Sequence, residues 1–302
     1  KTLSDLPETP LLCINSTNLA TQLPFTFSRG MMGEHAYRIN GQSMFDASGF
    51  PLSRAVMASS CVPYGFTPIT IGAAFVRGKY DDCEQKPEPP KLIDGGVYDN
   101  QGAHKLCQDK SRFHCDYIVV SDAGNGKVNA MDTTHFFNLA MNTISMMMNR
   151  IKKMQRSDNL YEGVTEKEHF AYVPLEWDCS ERLLQGFVNN LRNGNVHPDV
   201  WQAHGISEAE ISALKTKGTP RTEAEAAIMQ HIKANVAWSK FEECAPSAES
   251  VDLARHVGTS LVALSAAQID ALIAHSAWLA ELQTRLYLPM LVEQGERRSI
   301  PC

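Results

Sequence analysis

The composition shifts toward helix formers beyond Glu181, and that shift limits the architectures open to the chain. Before it, short apolar runs of strand length stop at turn formers: Leu11-Leu12-Cys13-Ile14 ends in Asn15, and Tyr117-Ile118-Val119-Val120 ends in Ser121-Asp122-Ala123-Gly124. Both read as buried strands running into loops. Leu52 to Ser60 reads as a short helix stopped by Pro63. Ile69 to Val76 is rich in strand formers, and the polar, proline-bearing stretch from Lys79 to Pro90 reads as an exposed excursion. From Thr134 to about Arg156, Phe137, Met141, Ile144, Met148 and Ile151 recur at steps of three and four, with Asp132 or Thr133 as a cap. This spacing predicts a long amphipathic helix. Its Met141, Met146, Met147, Met148 and Met154 read as core filling.

Beyond Glu181 helix formers dominate, and Ser207 with Glu210, Thr222 with Glu225 and Ser265 with Gln268 each match the capping-box pattern of a helix start. Asn193-Gly194-Asn195 with Pro198 reads as a turn-rich link. The expected organisation is therefore a mixed strand-and-helix region over residues 1–180 and a mostly helical extension over 181–302.

A chain of 302 residues with 43% hydrophobic residues is long enough to bury a full core. Its 28 Lys+Arg against 34 Asp+Glu leave a net charge of −6, which supplies no field for nucleic acid. The mean hydropathy is −0.24, and no run approaches the roughly 18 apolar residues of a membrane span. The eight cysteines, Cys13, Cys61, Cys83, Cys107, Cys115, Cys179, Cys244 and Cys302, are scattered, so reduced thiols and a cytoplasmic location are expected. The chain begins at Lys1 with no charged-then-apolar leader, and the expectation is that further sequence precedes it.

The chemistry concentrates at Asp94-Gly95-Gly96-Val97-Tyr98-Asp99-Asn100, which sets a carboxylate directly after the apolar pair Leu92-Ile93 and follows it with two residues lacking Cβ. Such a carboxylate either closes an Asx turn at a strand end or, if burial and hydrogen bonds orient it, takes a proton from a neighbouring hydroxyl. Asp99 and Asn100 are expected to hold the loop that carries Asp94.

Asn15-Ser16-Thr17-Asn18-Leu19 with Phe25-Thr26-Phe27-Ser28, then Leu52 to Pro63 through Ala58-Ser59-Ser60-Cys61, then Leu92 to Gly102, then Val120-Ser121-Asp122-Ala123-Gly124 follow one another in an order and spacing that resembles the patatin-like phospholipase family. The resemblance covers residues 10–160 and continues faintly through Gly258-Thr259-Ser260-Leu261 and Leu272 to Leu279. It implies a three-layer α/β/α sandwich and a lipid acyl hydrolase without cofactor or metal. In that family a serine in a Gly-x-Ser-x-Gly elbow attacks the ester and an aspartate activates it. By resemblance Asp94 is that aspartate, Gly95 and Gly96 bring the backbone close to the elbow, and backbone N–H donors stabilise the oxyanion by about 3–4 kcal/mol each. The implied partners are a lipid ester substrate and peripheral contact with a membrane.

The remaining machinery of that family is not in the sequence. Gly41-Gln42-Ser43-Met44-Phe45 and Gly258-Thr259-Ser260-Leu261-Val262 lack the second glycine of an elbow, and no glycine-rich oxyanion loop is found. The sandwich is thus expected to be partial, lacking its first strands, with the nucleophile on a companion N-terminal segment. A catalytically silent binding or regulatory module is the alternative. Three lesser candidates are Ser59, Ser60 and Cys61 as a nucleophile, Ser121 and Asp122 as site-lining or turn residues, and His104, Cys107, His114 and Cys115 as metal ligands in a helical interaction protein. Their histidine and cysteine spacing matches no common zinc pattern.

Overall fold

In a computed structural model, β1 (Ile14–Asn18) pairs antiparallel with β2 (Leu23–Ser28), setting Ile14 opposite Phe27 and Asn18 opposite Leu23. β2 turns back through Arg29 and Gly30, the latter at φ +69°, into β3 (Met31–Gly33). A small hairpin joins β4 (Arg38–Ile39) to β5 (Gln42–Ser43). Helix α1 (Leu52–Ser59), β6 (Ile69–Thr70) and β7 (Lys91–Asp94) follow. β7 lies between β1 and β6, giving the order β3-β2-β1-β7-β6 with every pair antiparallel.

The chain is mixed α/β as expected, but its five-stranded sheet is antiparallel, whereas a three-layer α/β/α sandwich is built on a mostly parallel sheet. The turns joining β1 to β2 and β2 to β3 are too short for parallel pairing, which needs a crossover of a dozen or more residues, whereas β7 returns antiparallel to β1 after a long excursion. α2 (His104–Cys107) follows the β7 loop. A parallel pair does form further on, between β8 (Tyr117–Asp122) and β9 (His169–Pro174), on either side of α3 (Phe136–Ser157).

The described residues are 1–124, 135–157, 168–258 and 262–292. They belong to two compact units. One comprises residues 1–114 and 128–155; the other comprises 115–127 and 156–302. The chain therefore leaves the first unit after His114 and re-enters it for α3.

The first unit is cored by Phe25, Phe27, Tyr37, Phe45 and Phe50, all buried. Their rings meet at tilted, edge-on or stacked geometries, with Phe25 and Phe45 centroids 5.3 Å apart and Phe27 and Phe50 5.5 Å apart.

The second unit adds α4 (Arg182–Asn193), α5 (Pro198–Ala203), α6 (Glu208–Leu214), α7 (Thr219–Val236), α8 (Trp238–Glu243), α9 (Ala248–Arg255) and α10 (Ala266–Tyr287). Its core draws Leu184, Phe187, Ile228, Ile232, Trp278 and Leu282 from three of them, α4, α7 and α10. The Ser207–Glu210 and Ser265–Gln268 capping boxes start α6 and α10 as expected. Thr222 and Glu225 lie inside α7, which begins earlier because Pro220 in its first turn presets a helical φ. Gly194, at φ +79°, closes α4, and Pro198 opens α5.

Several other expectations shift. The first strand starts at Ile14 rather than Leu11, and Leu12 is exposed. Only Ile69–Thr70 of the 69–76 stretch is strand, followed by a 3-10 turn over Ala73–Phe75. β8 alternates, with Ile118 and Val120 buried while Tyr117 and Val119 are exposed, so it is covered on one face rather than two. On α3, Met146, Met147 and Met154 are exposed, not core, while Met148 turns inward. Asp132, Thr133, Thr134, residues 259–261 and the side chains of Phe137 and Met141 lie outside the described residues. Cys13, Cys61, Cys83, Cys107, Cys115 and Cys179 are free thiols, whereas Cys244 is disulfide-bonded, a departure from uniformly reduced cysteines. Among the described residues no helix is long and apolar enough to cross a membrane.

Candidate active site

β7 ends on Asp94, and the sheet fixes that residue on both sides. Its N–H donates to the Cys61 carbonyl at 2.8 Å, and its Cα stands opposite Ser16 of β1. The chain then bends into a 3-10 turn over Gly95–Val97, and Asp94 Oδ1 accepts the Gly96 N–H at 2.7 Å. Asp94 Oδ2 accepts no hydrogen bond among the described residues. The carboxyl is half-buried. Burial pushes its pKa above the ordinary carboxylate value, with the Gly96 bond pulling the other way.

The two glycines are required for different reasons. A Cβ on Gly95 would stand 2.5 Å from the Asn15 carbonyl oxygen of β1, a backbone atom that cannot step aside. A Cβ on Gly96 would meet Met148 Cε at 2.5 Å, Asn100 Oδ1 at 2.8 Å and Asp94 Oδ1 at 3.1 Å. The turn is tied to β1 by the buried hydroxyls of Ser16, which donates to Ile93 O at 2.9 Å, and Thr17, which donates to Gly95 O at 3.4 Å.

Asp99 is buried and acts as a hub. Its Oδ2 accepts the His104 N–H at 2.8 Å, and its Oδ1 accepts from Gln101 N at 3.3 Å and from Gln155 Nε2 at 3.2 Å. The loop after Asp94 is thereby anchored to the start of α2 and to α3. Asn100 is exposed, with its Oδ1 beside Gly96. Asp94, Gly95, Gly96, Asp99 and Asn100 thus sit on one continuous turn, and Ser16, Cys61, Met148 and Gln155 join them from elsewhere in the first unit. The last two had a sequence signal: Met148 and Gln155 lie on one face of α3 at heptad spacing.

Within this setting a half-buried carboxylate held at one oxygen can accept a proton from a hydroxyl brought within hydrogen-bonding reach. The local alternatives are not placed for that chemistry. Ser60 Oγ donates back to Val56 O at 2.9 Å inside its own helix end. Cys61 is buried, its Sγ lies 3.3 Å from Thr67 O, and burial with the nearby Asp94 charge raises its pKa. Asp122 Oδ1 accepts the Gly124 N–H at 2.9 Å, the turn role expected of it at the end of β8. His104 Nε2 lies 2.9 Å from the Gln108 amide nitrogen and its ring meets Tyr98 edge-on. Among the described residues, the ligating atoms that converge within 4.8 Å include none from His104, Cys107 or Cys115. No protein-family model, curated protein or solved structure matches the chain.

Proposed function

We propose that the chain carries the general-base aspartate of a patatin-like Ser–Asp acyl hydrolase acting on phospholipid or other lipid esters, with Asp94 in that role. The carrying observation is the carboxylate itself: half-buried, held at Oδ1 by the Gly96 N–H and, among the described residues, with no hydrogen bond at Oδ2. A base built this way needs no histidine, because burial raises its proton affinity toward that of its task. The serine it would activate is supplied by a segment outside these residues, since no Gly-x-Ser-x-Gly occurs among them. This reading takes the three-layer α/β/α sandwich of that family as the fold of the hydrolase. The lipid class is supported by Val56, Met57, Tyr64 and Phe66, large apolar side chains exposed on α1 and the loop beyond Cys61. Peripheral contact with a membrane would bring them against the substrate phase.

The missing elbow also favours a second reading, a silent patatin-like binding or regulatory module. A fluorophosphonate probe applied to the protein with any co-purifying polypeptide, followed by ester turnover assays of wild type and Asp94→Asn, separates the two. Under the hydrolase reading a serine on the companion segment is labelled, and Asp94→Asn lowers kcat by about 10²–10⁴-fold. Undiminished turnover in Asp94→Asn overturns the assignment. No labelling and no turnover favours the silent module.

A further inference from the structure

We propose that His169, His197 and Asp199 form a binding site for a divalent cation of the zinc class in the second unit, separate from the Asp94 turn. One ligating atom from each of the three lies within 4.8 Å of the others. The backbone delivers them from two directions. His169 opens β9, where its N–H donates to Asp116 O at 2.8 Å and its ring leans on Tyr117 at 5.3 Å. His197 stands between the left-handed Gly194 that ends α4 and the Pro198 that begins α5. Its ring meets that of His169 edge-on, centroids 4.8 Å apart. Asp199 follows in the first turn of α5, with Oδ2 3.5 Å from His197 Nδ1.

The spacing suits a small tetrahedral ion. Ligands about 2.0–2.1 Å from zinc stand roughly 3.3 Å from one another, close to the 3.5 Å already present between His197 and Asp199. The third ligand needs a side-chain adjustment of the order of 1 Å. Two imidazoles and one carboxylate favour zinc and its neighbours over calcium or magnesium, which take oxygen ligands. Three protein ligands leave one position for water. Asp199 is exposed, so the ion has a path from solvent. Among the described residues, binding through His197 Nδ1 would displace the long 3.3 Å contact from the Asp199 N–H.

The full chain is titrated with cobalt(II) alone, read by visible absorption, and the bound cobalt is then displaced with zinc. A single equivalent with a tetrahedral spectrum is expected. His169→Gln and His197→Asn should each weaken binding by at least about 10–100-fold, the loss typical of residues that merely orient a ligand; Asn at 197 retains a helix N-cap. His256→Asn, remote in sequence, should leave affinity unchanged. Should either site variant fail to fold, carbethoxylation of the wild-type chain gives the same answer, because zinc should protect His169 and His197 and no other histidine. Equal cobalt affinity in wild type and folded variants, or equal modification of both histidines with and without zinc, overturns the proposal.

Discussion

Gly95 and Gly96 are adjacent, yet an added methyl group meets a different obstacle at each. At Gly95 the obstacle is the β1 backbone at Asn15; at Gly96 it is chiefly the flexible end of Met148. Gly95→Ala is therefore expected to destabilise by about 1–3 kcal/mol, as overpacking does, and Gly96→Ala by less; thermal unfolding of the two variants tests the order. Asp94 titrates in the opposite sense from a salt-bridged carboxylate. Its folded pKa lies above 3.8, so the folded state holds the proton more tightly and ionisation costs stability as pH rises through that raised value. Asp94→Asn keeps an Oδ1 acceptor for the Gly96 N–H and removes the charge. Its Tm should match or exceed that of wild type at pH 7, and the difference should vanish near pH 3. A lower Tm at pH 7 would contradict the burial cause.

Elements whose signals are local were readable from the sequence. Ser265 with Gln268 predicts a helix start because the reciprocal side-chain bonds that make it lie within four residues, and α10 begins there. Ser265→Ala should cost about 0.5–2 kcal/mol, measured by denaturant unfolding. The same letters at Thr222 and Glu225 mislead, because a favourable proline two residues before Thr222 has already begun α7. β1 was misplaced for another reason. Its buried Ser16, Thr17 and Asn18 are polar and are satisfied by partners far along the chain, such as Ile93 O, Gly95 O and Tyr37 Oη, so no apolar period announces them. The Asp94 turn was legible as chemistry, but its anchors in α3 depend on pairings no local pattern encodes. Asp99→Asn is expected to swap one acceptor for a donor facing the His104 or Gln155 N–H groups, costing about 1–3 kcal/mol.

At the scale of the molecule, each unit carries its own buried core, aromatic in the first and built between helices in the second. Phe27→Ala should remove about 3–5 kcal/mol and Leu282→Ala about 2–5 kcal/mol, both side chains being fully buried. Hydrogen exchange resolved by peptide should place the loss of protection within residues 1–114 and 128–155 for the first, and within 115–127 and 156–302 for the second. The two units are interleaved along the chain, since the first resumes in α3 after the strand β8 of the second. Neither unit is therefore a cassette that recombination could lift out with a single cut. A break after His114 would carry Asp94 and its glycines away from Met148, which crowds Gly96, and from Gln155, which grips Asp99. An exchange of modules that spared the carboxylate's setting would have to move the intervening strand as well.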